Sequence, residues 1–133
     1  MAKIIYLHGF ASSANSTKAL QLKKYIFKNY SKTEIIIPNI ENNIVDAVQQ
    51  IDNLIKEFSP SALIGSSLGG FYATYFSEQY NLKCVGINPA VIPPAEMSEY
   101  LGENKNYSTG EKFLITQEQL DLLDRMGREI NVI

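Results

Sequence analysis

Four short apolar runs, KIIYL (3–7), EIII (34–37), SALIG (61–65) and KCVGI (83–87), alternate with stretches whose apolar residues recur at helical spacing. No other feature limits the fold as strongly. Strands that are apolar at nearly every position belong to sheets covered on both faces. The helices between them supply the long crossovers that parallel pairing demands. The chain therefore reads as α/β, a three-layer sandwich with a mainly parallel sheet of about four strands. Crossovers in such sheets are right-handed, which leaves few topologies open. A helix is predicted from Ser16 onward, with Leu22, Ile26 and Tyr30 at i, i+4, i+8. A second, over 41–58, carries Ile44, Val48, Ile51, Ile55 and Phe58 on one face. A third covers 68–80.

The later part of the chain is less regular. Pro93 and Pro94 open a polar stretch, 92–118, rich in Asn and Tyr. It reads either as a lid over the sheet edge or as a long surface loop. Residues 117–126 fit a last helix with Leu120, Leu123 and Met126 as its apolar side, and EINVI (129–133) resembles the opening of a strand. One domain over 1–133 accounts for the length.

Bulk properties exclude several classes. A net charge of −2 and a pI near 5.4 give no electrostatic case for nucleic acid or for an anionic membrane surface. No apolar run approaches the ~20 residues that span a bilayer, and His8 and Gly9 cut short any secretory signal. A cytoplasmic location is expected. The single cysteine, Cys84, sits in an apolar stretch and is expected to be a buried, reduced thiol. No metal site is expected.

Ligands of parallel sheets bind at the carboxyl ends of the strands. Three loops converge there: HGFASS, GSSLGG and NPAVIPP. The middle one fits G-x-S-x-G in one register, Gly65, Ser67, Gly69; shifting to Ser66 would put Ile64 and Leu68 at the glycine positions. A serine hydroxyl is a weak nucleophile and must be presented on a strained strand-to-helix turn. Side chains two positions away would strike the neighbouring strand and helix. Ser67 is the candidate nucleophile. The start of the following helix places Leu68 N–H near a developing oxyanion, and the loop after the first strand supplies a second donor, Phe10 N–H, with Gly9 allowing close approach. Two other readings of the turn are a tight βα connection packed with small residues and a phosphate-cradling loop. The latter lacks the lysine of G-x-x-x-x-G-K-[ST].

Taken together, YLHGFASSANSTKA, IGSSLGGFYAT, INPAVIPP and YLGENKNYSTGEKF resemble the YqiA-type small bacterial esterases of the α/β-hydrolase superfamily, from about residue 3 to about residue 118. The resemblance implies an α/β-hydrolase fold, of which this chain holds the N-terminal part. It further implies hydrolysis of small-molecule carboxylic esters or thioesters, no cofactor, and Ser67 as nucleophile. Such hydrolases order their triad Ser, acid, His, and the resemblance places the last two after later strands. This chain departs from that pattern. Its one histidine, His8, precedes the serine, and Asp121, Asp124 and Glu129 match no acid position of the family. His8 belongs to the oxyanion loop, where it is expected to be a packed, hydrogen-bonded residue. Lys83 and Lys112 have no motif that marks them as a base.

Loss of the base costs a serine hydrolase about 10⁶ in kcat, so the chain by itself is expected to be nearly inactive. The strand order expected from the fold, 34–37, 3–7, 61–65, 83–87, leaves the last strand as an uncovered edge. That predicts a poorly soluble or dimeric product, a homodimer through this edge, with EINVI available to pair with it. Two alternatives stand beside the esterase reading: a non-catalytic binding module that keeps the serine turn, and a flavodoxin-like protein holding an anion at the 68–80 helix N-terminus.

Overall fold

The computed structural model describes residues 2–90 and 97–130. Strand β1 (Ala2–Leu7) leads into α1 (Thr17–Asn29), followed by β2 (Thr33–Ile36), α2 (Ile44–Phe58), β3 (Ala62–Ser66), α3 (Leu68–Tyr80) and β4 (Lys83–Ile87). A single 3₁₀ turn (Ser98–Tyr100), an antiparallel hairpin of β5 (Gly102–Lys105) and β6 (Lys112–Ile115), and α4 (Gln117–Glu129) complete the described chain. The four-stranded sheet is parallel throughout, in the order β2-β1-β3-β4.

Local chemistry sets the helix starts. Ser16, Asn43 and Thr116 each accept a hydrogen bond from the backbone N–H three residues on, at Ala19, Asp46 and Gln119, which satisfies one orphan donor per helix. Ser59 and Asn81, both left-handed, end α2 and α3.

The chain moves one way along the sheet from β1 to β2 and the other way from β2 to β3 to β4. Right-handed crossovers then put α1 on one face and α2 with α3 on the other. Helix α4 packs over α2 and α3. The core lies on that side, with Ile5, Leu7 and Leu63 from the sheet meeting Ile44, Ile51, Phe71 and Leu123, all essentially inaccessible. The α1 face is thinner: Ile4, Ile35 and Ile64 are only half-buried and Val85 is 55% exposed.

Three expectations change. Cys84 is exposed, not buried. It lies opposite Leu63 in the β3–β4 register, and β4 is the edge strand of the sheet among the described residues. The described part of the 92–118 stretch is neither a bare loop nor a free lid. Its alternating Gly102–Lys105 and Lys112–Ile115 segments pair with each other and dock on the loop after β1; residues 91–96 lie outside the described residues. The start of EINVI is helical, since α4 continues through Glu129 with Ile130 as its cap; residues 131–133 lie outside the described residues.

No helix among the described residues is long and apolar enough to cross a membrane. Among the same residues, no three His, Cys, Asp or Glu side chains gather in a way that could hold a metal ion.

Candidate active site

The reversal of direction at β1 opens a crevice between the carboxyl ends of β1 and β3, the place where open α/β sheets bind ligands. The HGF loop stands on one side of it and the GSSLGG turn on the other.

Ser67 occupies a strained positive-φ backbone conformation, φ 55° and ψ −120°, at the junction of β3 and α3. Such geometry in a non-glycine residue costs on the order of 1–3 kcal/mol and persists only where surroundings enforce it. Here they do. The Ser67 N–H donates to Ile87 O at 3.1 Å, and its carbonyl accepts from Gly70, Phe71 and Ala90 N–H at 2.9, 3.2 and 2.9 Å. The end of β4 and the NPA loop therefore brace the turn. The two serines part company: Ser67 is exposed, while Ser66 is buried and hydrogen-bonded to Tyr6.

The flanking glycines are steric necessities. A Cβ on Gly65 would lie 2.1 Å from Gly69 O, and one on Gly69 would lie 2.1 Å from Leu7 O and 2.4 Å from His8 O. Strand, turn and helix are packed backbone to backbone. A Cβ on Gly9 would sit 3.4 Å from Ser67 Cβ, which places the HGF loop directly beside the serine.

That loop is held from three sides. A turn closes between Ser12 N–H and Gly9 O at 3.3 Å, with Ala11 left-handed at φ 56°. The hairpin clamps it: Tyr107 N–H donates to Ala11 O, and Asn106 Nδ2 donates to Ser12 O, both at 2.9 Å. Asn106 is buried, and its Oδ1 accepts from Ser108 and Thr109 N–H while Nδ2 also reaches Asn42 Oδ1 at 2.8 Å. Phe10 packs between Tyr100 and Phe113, with ring centroids 4.8 and 5.6 Å away.

His8 is 5% exposed and both ring nitrogens are engaged. Nε2 accepts from Ile40 N–H at 2.9 Å, so the ring proton lies on Nδ1, which donates to Gly9 O at 2.9 Å. Burial pushes its pKa below the ordinary histidine range. This is a neutral, structural histidine tying the β1–α1 loop to the β2–α2 loop. No hydrogen-bond partner for the Ser67 hydroxyl occurs among the described residues. The later carboxylates are engaged on helix surfaces: Asp121 accepts from Gln117, Asp124 pairs with Arg128, and Glu129 accepts from Tyr75. Lys83 lies at the amino end of β4, at the opposite edge of the sheet from Ser67.

Tyr72 is the residue that sequence reasoning passed over. It follows Leu68 by one helical turn, and that i, i+4 spacing within LGGFYAT was the available signal. Tyr72 is 2% exposed and lines a cavity with His8, Gly9, Phe10, Ala11, Ile40 and Leu68. That cavity leaves about 20 Å³ for the centre of a water-sized sphere, room for one water. Burial raises its phenol well above the usual range, so it stays a neutral hydroxyl behind the HGF loop.

Residues 3–129 match the uncharacterised protein family UPF0227. The UPF0227 protein ECA1814 of Pectobacterium atrosepticum is 29% identical in an alignment of 108 positions that covers 78% of this chain and 59% of that protein. The chain thus spans about three fifths of the length of this curated relative. Three solved structures superpose on nearly all of it. Est1E from Butyrivibrio proteoclasticus, solved with ferulic acid, gives a TM-score of 0.71 at 11% identity, over 94% of this chain and 61% of that one. Mouse alpha/beta hydrolase domain-containing protein 10 gives 0.67 at 15%, over 93% and 61%. A structure from the metagenome-derived lipolytic enzymes LipS and LipT gives 0.65 at 14%, over 95% and 65%. The fold is that of the α/β hydrolases, and the chain belongs to the UPF0227 family.

Proposed function

We propose that this chain carries the nucleophile half of a serine esterase or thioesterase site, with Ser67 attacking the acyl carbon of a small carboxylic ester or thioester. The observation that carries this reading is the strained, exposed Ser67 at the head of α3, beside the HGF loop. In the proposed reaction Ser67 Oγ bonds to the carbonyl carbon and gives its proton to a base. The bond to the leaving oxygen or sulfur breaks, and water later releases the acid from the acyl-serine. Charge gathering on the carbonyl oxygen would meet Phe10 and Leu68 N–H and the positive end of α3.

The base is the unfilled role. His8 Nε2 already accepts from Ile40 N–H, so the reading assigns the base to a group other than this chain's own histidine. The engagement of His8 also favours a second reading, in which the serine turn binds a ligand without turnover.

One experiment separates the two. Release of p-nitrophenol from p-nitrophenyl butyrate is followed for the wild type and Ser67→Ala, with and without added imidazole as a free base. The esterase reading expects a weak wild-type rate that imidazole raises above its own background, and no such gain in Ser67→Ala. Identical rates for both proteins under both conditions would sink it and leave the binding reading.

A further inference from the structure

The whole-chain charge hides a sharp division. Residues 1–33 contain six lysines and no carboxylate; residues 34–133 contain six Lys or Arg against fourteen carboxylates. Four of the six lysines, Lys18, Lys23, Lys24 and Lys28, ride on α1, with Lys32 just beyond it. That helix also shows unusual apolar exposure: Phe27 is 86% exposed and Leu20 49%.

These two features share one flank. At 100° per residue, Leu20, Lys23, Lys24 and Phe27 fall within one stripe beside the buried Ala19 and Ile26. The stripe faces the edge strand β2. Between them runs an open groove of about 550 Å³, lined by Leu20, Lys23, Lys24, Ile26, Phe27, Thr33, Glu34 and Ile35. Its floor is apolar, and Glu34 is its single carboxylate. The ion pairs among the described residues, Lys56–Asp52 and Arg128–Asp124, leave Lys23 and Lys24 unneutralised.

We propose that α1 docks this protein on an anionic lipid surface, with Phe27 and Leu20 entering the acyl boundary and Lys23 and Lys24 meeting the headgroups. A helix lies in a membrane interface when one side offers aromatic and aliphatic groups and lysines flank them. Anionic lipid satisfies both halves of this stripe at once; a neutral bilayer would leave the ammoniums unpaired, and a free anion would leave Phe27 in water. The acid-rich remainder of the molecule would be repelled by the same surface, which orients docking through α1. The basic stripe on α1 thus runs against the net charge of −2 carried by the whole chain. It does not depend on the reading of Ser67.

The test is cosedimentation of the full chain with phosphatidylcholine vesicles containing about one quarter phosphatidylglycerol, and with phosphatidylcholine alone. Binding is expected to the first only and to fall steeply with added salt. Lys23→Gln with Lys24→Gln should weaken it about thirtyfold, at roughly tenfold or less per lysine. Phe27→Ser should weaken it with little effect of salt on the loss. Lys112→Gln, on the hairpin, should change it little. All four positions are exposed, so unchanged circular dichroism melts are expected to accompany these effects. Equal binding to both vesicles, no binding, or insensitivity to Lys23, Lys24 and Phe27 would overturn the proposal. So would self-association in solution that Lys23→Gln with Lys24→Gln abolishes, since the groove would then hold a second copy.

Discussion

A buried imidazole that must stay neutral links stability to pH. The folded-state pKa of His8 is lowered, so between that value and the ordinary unfolded value near 6.5 the unfolded chain binds the extra proton. Stability from His8 is therefore complete above about pH 6.5 and is lost as pH falls toward the folded pKa. Thermal melts from pH 7.5 down to 5 should show Tm falling over this window. His8→Asn should flatten that limb at the cost of a lower plateau. A Tm that holds level in the wild type would contradict the hydrogen-bond assignment. The glycines make an opposed pair of predictions. Gly69→Ala drives a Cβ into Leu7 and His8 carbonyls and should destabilise by about 3 kcal/mol or more. Gly127, in the last turn of α4, has only Phe71 ring carbons at 3.8 and 3.9 Å from an added Cβ, and Gly127→Ala should stabilise by about 0.5–1 kcal/mol. Urea unfolding midpoints of the two variants should move in opposite directions.

Elements are joined here by buried polar side chains as much as by apolar packing. Gln119 on α4 is 2% exposed; its Oε1 accepts from Ile44 N–H at the start of α2, and its Nε2 donates to Leu114 O on β6, both at 2.9 Å. One side chain thus fixes α4, α2 and the hairpin. Gln119→Leu keeps the volume but strands the buried Ile44 N–H and frees the part-buried Leu114 carbonyl, and should cost about 1–3 kcal/mol in a denaturant titration. A cost under half a kcal/mol would mean that α4 shifts to restore the bonds. Asn106 does the same for the hairpin and the β1–α1 loop. These long-range pairings escaped the sequence reading because Gln119 and Asn106 look like ordinary surface polar residues. Their partners lie 75 and up to 94 positions away. Helices α2 and α3 were legible because their starts, ends and apolar faces depend only on neighbours within a few residues.

At the scale of the molecule, β4 presents a strand edge with no partner among the described residues, and Val85 and Cys84 are exposed on it. Such an edge templates pairing with another chain. Sedimentation velocity should show reversible self-association, and Val85→Lys should shift the population toward monomer. A wild type that stays monomeric as its concentration rises would remove this expectation. The alternation of apolar strands with amphipathic helices and the single register in which Ser67 lies between glycines were determined by the sequence alone. Both rest on local periodicity and on contacts between residues two to four positions apart. The tertiary structure decided what local pattern does not encode: that Cys84 and Val85 face water, that the tyrosine-rich segment clamps the loop after β1, and that His8 spends both nitrogens on structure. Burial and hydrogen-bond commitment depend on which distant segments arrive alongside, and an edge strand reads in sequence like a central one.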